Sequence, residues 1–264
     1  MGSMDKSRQH IEQDDEGQTL QAPAPWLMML EARAPWEFAA TLAATPLLAR
    51  LPVGDGHPVL VFPGLGATDT TTVALRNFLR HRGYTPYPWK QGFNFGPRRG
   101  VLKACGAQLD QLARHHGQKV SLIGWSLGGI YAREIAKERP AQVRCVITLG
   151  TPFAGHPRAT RAWRLYEMVS GQRTHDPALL EQLREPPPVP TTSIYSRSDG
   201  VVAWQCSLND PAHAHTENIE VQASHMGMGM NPLALYAVAD RLRQDPARWQ
   251  RFDAAGSRRW FFRA

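Results

Sequence analysis

Along the chain, short continuous apolar runs alternate with longer stretches in which apolar residues recur every three or four positions. The run PVLVF (58–62) has the unbroken apolar character of a strand buried on both faces. Residues 70–80 carry Val73, Leu75, Phe78 and Leu79 at helical spacing and end near Gly83. YTPYPW (84–89) reads as an edge or irregular strand because of its prolines. Val101, Leu102, Cys105, Leu109 and Leu112 predict a helix over 99–116. Then come VSLIGW (120–125), a helix over 127–139, VRCVITL (143–149), TTSIYS (191–196), NIEVQA (218–223) and a helix over 232–243. This rhythm predicts an α/β fold with right-handed crossovers, a mostly parallel central sheet and helices on both faces. Reactive groups of such sheets gather beyond the carboxyl ends of the strands, so a catalytic set is expected just after predicted strands.

The remaining segments frame this core. Residues 1–24 are polar, with the signature of disorder. Residues 25–51, PWLMMLEARAPWEFAATLAATPLLARL, read as two helical pieces broken at Pro35 and Pro46. They suit a helical flap over the main domain, or a peripheral membrane foothold through Trp26 and Trp36. The main domain is expected over 52–250, with a small helical cap inserted at about 156–190. There RATRAWRLYEMVSG is amphipathic, and Trp163, Leu165 and Met168, with Phe153 just before the insertion, are candidate pocket or lid residues. A mobile cap would open apolar surface to lipid or a long acyl chain; the alternative is a helix packed on the sheet. PPPVP (186–190) forms a stiff return to the sheet, and KQGFNFGPRRG (90–100) offers Phe93 and Phe95 to the rim. Residues 251–264 form an aromatic-basic tail ending in RRWFFRA.

Composition narrows the class. The chain has 264 residues, 42% hydrophobic and 20% charged, as in ordinary globular proteins. Its net charge of +7 is spread without a Lys/Arg block, a zinc spacing or an RNA-binding signature, so a solvated basic surface is expected rather than a nucleic-acid partner. Cys105, Cys145 and Cys206 are an odd count without C-x-x-C, unlike a secreted disulfide framework, and Cys105 on a predicted helix and Cys145 in an apolar strand read as buried thiols. The N-terminus has no apolar h-region, and no apolar stretch approaches the ~20 residues of a membrane span. A cytoplasmic address is the expectation, with peripheral membrane contact through the 25–51 segment as an addition. Nothing in the pattern sets an oligomeric state.

The sequence IGWSLGG (123–129) supplies candidate chemistry. A tight strand-to-helix turn at Ser126 crowds the residues two before and two after it, which explains Gly124 and Gly128; Gly129 lets the new helix approach the sheet. A serine hydroxyl needs a base. His115 and His116 end a helix, His57 lies at the wrong edge of the sheet, His213 and His215 sit in a polar loop, and His156 and His175 fall in the cap. His225 directly follows the last predicted strand, in a glycine-rich loop flexible enough to reach Ser126. Asp199, in SRSDGVV after the preceding strand, suits the acid that orients the base, with Asp176, Asp210 and Glu217 in reserve. A tetrahedral oxyanion needs two donors: the Leu127 amide, and the Leu65 amide in FPGLGAT.

The set VLVFPGLGAT, VSLIGWSLGGIYARE, VITLGTPFAG, SRSDGVV and SHMGM, over roughly 58–230, resembles the α/β-hydrolase superfamily. It is similar to bacterial triacylglycerol lipases and, more distantly, to GPI inositol-deacylase-like hydrolases. The resemblance implies Ser126 as nucleophile, Asp199 as acid, His225 as base, and Leu65 and Leu127 as oxyanion amides. It implies a lipase-like serine esterase acting on a small-molecule or lipid ester, without metal or organic cofactor. Pro63 departs from the His-Gly of many lipases, and the 25–51 segment and the tail have no counterpart in the simplest ones. Acyltransferase, thioesterase or amidase activity on the same triad, or a non-catalytic lipid-binding module, are the alternatives.

Overall fold

The computed structural model describes residues 22–96, 98, 100–154 and 177–263. A six-stranded sheet, every strand parallel to its neighbours, runs in the order β2-β1-β3-β4-β5-β6. The strands are β1 (Pro58–Phe62), β2 (Thr85–Pro88), β3 (Val120–Trp125), β4 (Val143–Leu149), β5 (Thr191–Tyr195) and β6 (Thr216–Glu220). Helices α1 (Pro25–Leu30), α2 (Ala34–Leu48), α3 (Val73–His81), α4 (Val101–His116), α5 (Leu127–Glu138), α6 (Pro177–Arg184) and α7 (Pro232–Leu242) surround it.

Period-two alternation divides each central strand between two cores. Val59 and Val61 of β1, Ile123 and Trp125 of β3 and Ile147 and Leu149 of β4 pack with Leu48 of α2, Leu75 and Leu79 of α3 and Leu235 and Val238 of α7. Leu60 and Phe62, Leu122 and Val146 face the other way, onto Leu109 of α4 and Tyr131 and Ile135 of α5. Burial on both faces is why these strands read as unbroken apolar runs. The three cysteines are free and buried.

Two expectations need correction. Pro46 does not break its helix but lies inside the last turn of α2. The carbonyl deprived of its helical donor belongs to Leu42, an exposed residue at the solvent face of the helix. Strand β6 covers Thr216–Glu220 rather than 218–223, because pairing with β5 in the register Thr191↔Thr216 overrides the apolar signal of Val221 and Ala223. The tail is anchored: Phe252 and Phe262 enter the core, and Arg263 pairs antiparallel with Glu220 on the open edge of β6. In the 25–51 segment, a 3₁₀ turn (Glu31–Arg33) joins α1 to α2, and this arm packs against α7 and the loop before it.

Candidate active site

Ser126 sits between the end of β3 and the start of α5 with φ 53° and ψ −124°, a left-handed conformation uncommon for any residue but glycine. The surrounding glycines make the turn possible. A Cβ on Gly124 would collide with the backbone of Gly128 and Gly129, one on Gly128 with the Phe62 carbonyl, and one on Gly129 with the Thr151 side chain. Gly64, in the loop after β1, comes so close that a Cβ there would lie 3.4 Å from Ser126 Cβ and 4.0 Å from its Oγ. Among the described residues, neither Ser126 Oγ nor the Leu65 and Leu127 amides are engaged in a hydrogen bond. Ser126 is half-buried.

Asp199 and His225 meet beyond the ends of β5 and β6, with His225 Nδ1 2.7 Å from Asp199 Oδ2. The other carboxylate oxygen of Asp199 accepts from the Val201 and Val202 amides, both at 2.8 Å, which fixes the plane of the group. Gly150, at φ 55° after β4, lies against this pair: a Cβ would stand 3.1 Å from His225 Nδ1 and 3.2 Å from Asp199 Oδ2. The indole of Trp125 donates from Nε1 to the His225 carbonyl at 3.0 Å, so the residue preceding Ser126 holds the backbone of the histidine. Burial disfavours a charged ring at His225, but the Asp199 charge and hydrogen bond, with a smaller contribution from Glu31, outweigh it and raise its pKa above the usual 6.5.

The histidine loop is not the flexible connection its glycines suggest. His225 is buried, and Glu31, Glu37 and Asn231 bond residues of this loop. Sequence reasoning missed Glu31, Glu37, Gly150 and Trp125. Two acidic residues in an apolar helical stretch carry no signal of chemistry, and Gly150 was visible only as part of GTPFAG.

The reserve acids are occupied elsewhere. Glu217 pairs with Arg241 at 3.1 Å and accepts from Thr192, and Asp210 caps a turn through the Ala212 amide. Asp176 lies outside the described residues, as do Trp163, Leu165 and Met168. Phe153 is buried, with the Arg133 guanidinium 3.7 Å from its ring centre.

A second Asp–His–Ser chain exists at the amino ends of the strands. His57 Nδ1 meets Asp55, and its Nε2 lies 2.8 Å from Ser121 Oγ. Ser121 is inaccessible within β3 and also accepts from Cys145 Sγ at 3.3 Å. Burial is the largest influence on His57 and lowers its pKa. Without access, a strained turn or free amides, this network ties β1 to β3 and β4.

This sheet order, with a glycine-flanked serine elbow after β3 and an Asp–His pair after β5 and β6, is the α/β-hydrolase fold, and the chain is an α/β hydrolase by fold. Comparison with known proteins agrees. The chain is 30% identical over 96 residues to a pimeloyl-[acyl-carrier protein] methyl ester esterase of Legionella pneumophila (strain Paris), a match spanning 36% of this chain and 38% of that protein. Among solved structures, Aspergillus fumigatus lipase B matches with a TM-score of 0.59 at 20% identity, over 76% of this chain and 57% of the lipase. Bacillus licheniformis lipase BlEst2 matches with a TM-score of 0.54 at 16% identity, over 74% and 95% of the two chains. At these identities the structural likeness is one of fold. No family model matches the sequence.

Proposed function

We propose that the protein is a serine carboxylic-ester hydrolase of lipase or esterase type. What supports this reading is the buried Asp199–His225 pair, 2.7 Å apart after β5 and β6, together with a serine held at φ 53° after β3. The names of the relatives, an esterase and two lipases, point the same way. His225 Nε2 takes the proton as Ser126 Oγ attacks the ester carbonyl carbon, while Asp199 accepts from Nδ1 and stabilises the imidazolium. The unengaged Leu65 and Leu127 amides receive the oxyanion, each worth roughly 2.7–4 kcal/mol. Collapse breaks the ester C–O bond, and the alkoxide leaves with the proton from Nε2. Water, deprotonated by the same ring, then releases the acid and restores Ser126. No step draws on a metal ion or organic cofactor.

The substrate we assign is an ester with an apolar acyl group. Met226, directly after the base, is 57% exposed, and the arm exposes Trp26, Met29 and Trp36. Such groups suit contact with an acyl chain or a lipid surface. No helix among the described residues is long and apolar enough to cross a membrane.

A fluorophosphonate probe should label the wild type at Ser126 and fail on Ser126→Ala. His225→Ala should lower kcat on p-nitrophenyl esters by about 10⁶-fold and Asp199→Ala by about 10⁴-fold, with folding retained. Folded wild-type protein that stays unlabelled would favour a binding module. Release of acylated amine or alcohol in preference to free acid would favour an acyltransferase.

A further inference from the structure

Glu31 is a buried carboxylate in the 3₁₀ turn between α1 and α2, far in sequence from every strand end. It bonds no side chain among the described residues. Its partners are three backbone amides: Gly200 at 2.8 Å and His225 at 3.0 Å donate to Oε1, and Met226 at 2.8 Å donates to Oε2. The first follows Asp199, and the other two belong to the base and its neighbour. One carboxylate therefore joins the acid loop to the histidine loop. A charge moved out of water is held only where such donors compensate it, and no cation among the described residues pairs with Glu31.

The rest of the arm is built round the same two loops. Glu37 accepts from the Ser224 amide at 2.7 Å and from Arg33 Nε at 2.9 Å. Arg33 also donates to Ser198 Oγ at 2.7 Å, and Thr41 donates to the Met230 carbonyl. Gly200 and Gly227 lack side chains where the arm lies closest: a Cβ would strike the Leu27 carbonyl at the first and the Glu37 carboxylate at the second.

We infer that Glu31 is a positioning residue for the reaction: planted by the N-terminal arm, its carboxylate holds the Asp199 and His225 loops together and places a second negative charge beside the base. This inference rests on the triad reading proposed above. The charged groups facing His225 are Asp199 from the loop after β5 and Glu31 from the arm, with Glu37 one residue away at Ser224. Arg33 balances Glu37, whereas Glu31 has no such partner, so its charge acts on the ring. A group that favours the imidazolium raises the pH at which the ring loses its proton. Removing that group lowers it.

The test is the pH dependence of kcat/KM on a p-nitrophenyl ester for the wild type, Glu31→Gln, Glu31→Asp and Thr41→Ala. Fluorophosphonate labelling of wild-type Ser126 is measured first. Absence of labelling overturns the triad reading itself, before any Glu31 variant is scored. Given labelling, Glu31→Gln should move the acidic limb to lower pH by a few tenths of a unit or more and reduce plateau kcat about 10-fold or more. Glu31→Asp keeps the charge but retreats from the amides, so kcat should fall several-fold with the limb near its wild-type position. Thr41→Ala removes an uncharged arm-to-loop bond, and its limb should stay in place. A Glu31→Gln limb that does not move overturns the inference, even where the melting temperature falls, because a purely structural role predicts that result. If Glu31→Gln does not fold, wild-type kcat in Glu31→Asp overturns it.

Discussion

Ser126 keeps its left-handed backbone because Gly124, Gly128 and Gly129 let helix, strand and loop close around it, and the strain is specific to the side chain at that position. Holding a non-glycine residue there costs about 1–3 kcal/mol, whereas introducing glycine costs about 0.5–1 kcal/mol through the freer unfolded chain. The balance favours glycine. Ser126→Gly should melt higher than Ser126→Ala by about 2–4 °C, or ~1 kcal/mol, while both lose probe labelling. Equal melting temperatures would mean that the turn stores no strain. The elbow was legible in the sequence because its glycines have a steric purpose, and Asp199 and His225 were legible because each follows a strand. Glu31 and Glu37 were not. The bonds that bring them to the site come from backbone amides some 170 to 195 positions away, and amides leave no mark in a sequence.

Among the elements, α5 carries Ser126 at its start and Arg133 in its middle, and Arg133 links it to its neighbours. The guanidinium is 1% exposed; Nη1 donates to Asn209 at 2.8 Å, and Nη2 to the carbonyls of Arg184 and Glu185 at 3.1 Å each. Burial pushes its pKa down to about 9, with partial compensation from Glu134. These carbonyls lie at the carboxyl end of α6, where a cation also meets the negative end of the helix dipole. Replacing a buried charge by an apolar group is often harmless, but only when its partners are removed too. Arg133→Met removes this donor from the carbonyls and from Asn209, which stay in place. It should therefore cost about 2–4 kcal/mol in urea unfolding with an unchanged slope. A change within ~0.5 kcal/mol would show that water replaces the guanidinium. Sequence periodicity found α5 but not this role, since Arg133 falls at a position that reads as solvated. The central strands were legible for the opposite reason: burial on both faces leaves an apolar run with no alternative reading. At the sheet edge, β6 was displaced because hydrogen-bond register, rather than hydrophobicity, sets its limits.

Across the whole molecule, the two ends of the chain complete what the central domain leaves open. The arm braces the loops after β5 and β6, and the tail covers the outer edge of β6. An uncovered parallel edge presents unpaired amides and carbonyls to other chains. Here the Glu220 amide donates to the Arg263 carbonyl at 2.7 Å, and the aromatic residues on either side of the turn hold the tail down. Phe252 and Phe262 are each 5% exposed and meet edge to face with ring centres 5.0 Å apart. The Phe252 amide also donates to Glu217 at 2.6 Å, so the tail is tied to the buried Arg241–Glu217 pair. Nothing local in its aromatic-basic sequence reveals which rings turn inward. Phe252→Ala and Phe262→Ala should each cost about 3–5 kcal/mol in equilibrium unfolding. Because the rings touch, the double variant should lose less than the sum of the single losses, by about 0.5–1.5 kcal/mol. The loops of Asp199 and His225 take their bonds from the arm, through Glu31 and Glu37. Under native conditions, the fluorophosphonate labelling rate of the folded single variants should therefore match wild type, while the double variant, with its edge released, should associate on light scattering. Losses below ~0.5 kcal/mol, or a labelling rate that falls with stability, would show instead that the tail is a surface strap or is coupled to the site.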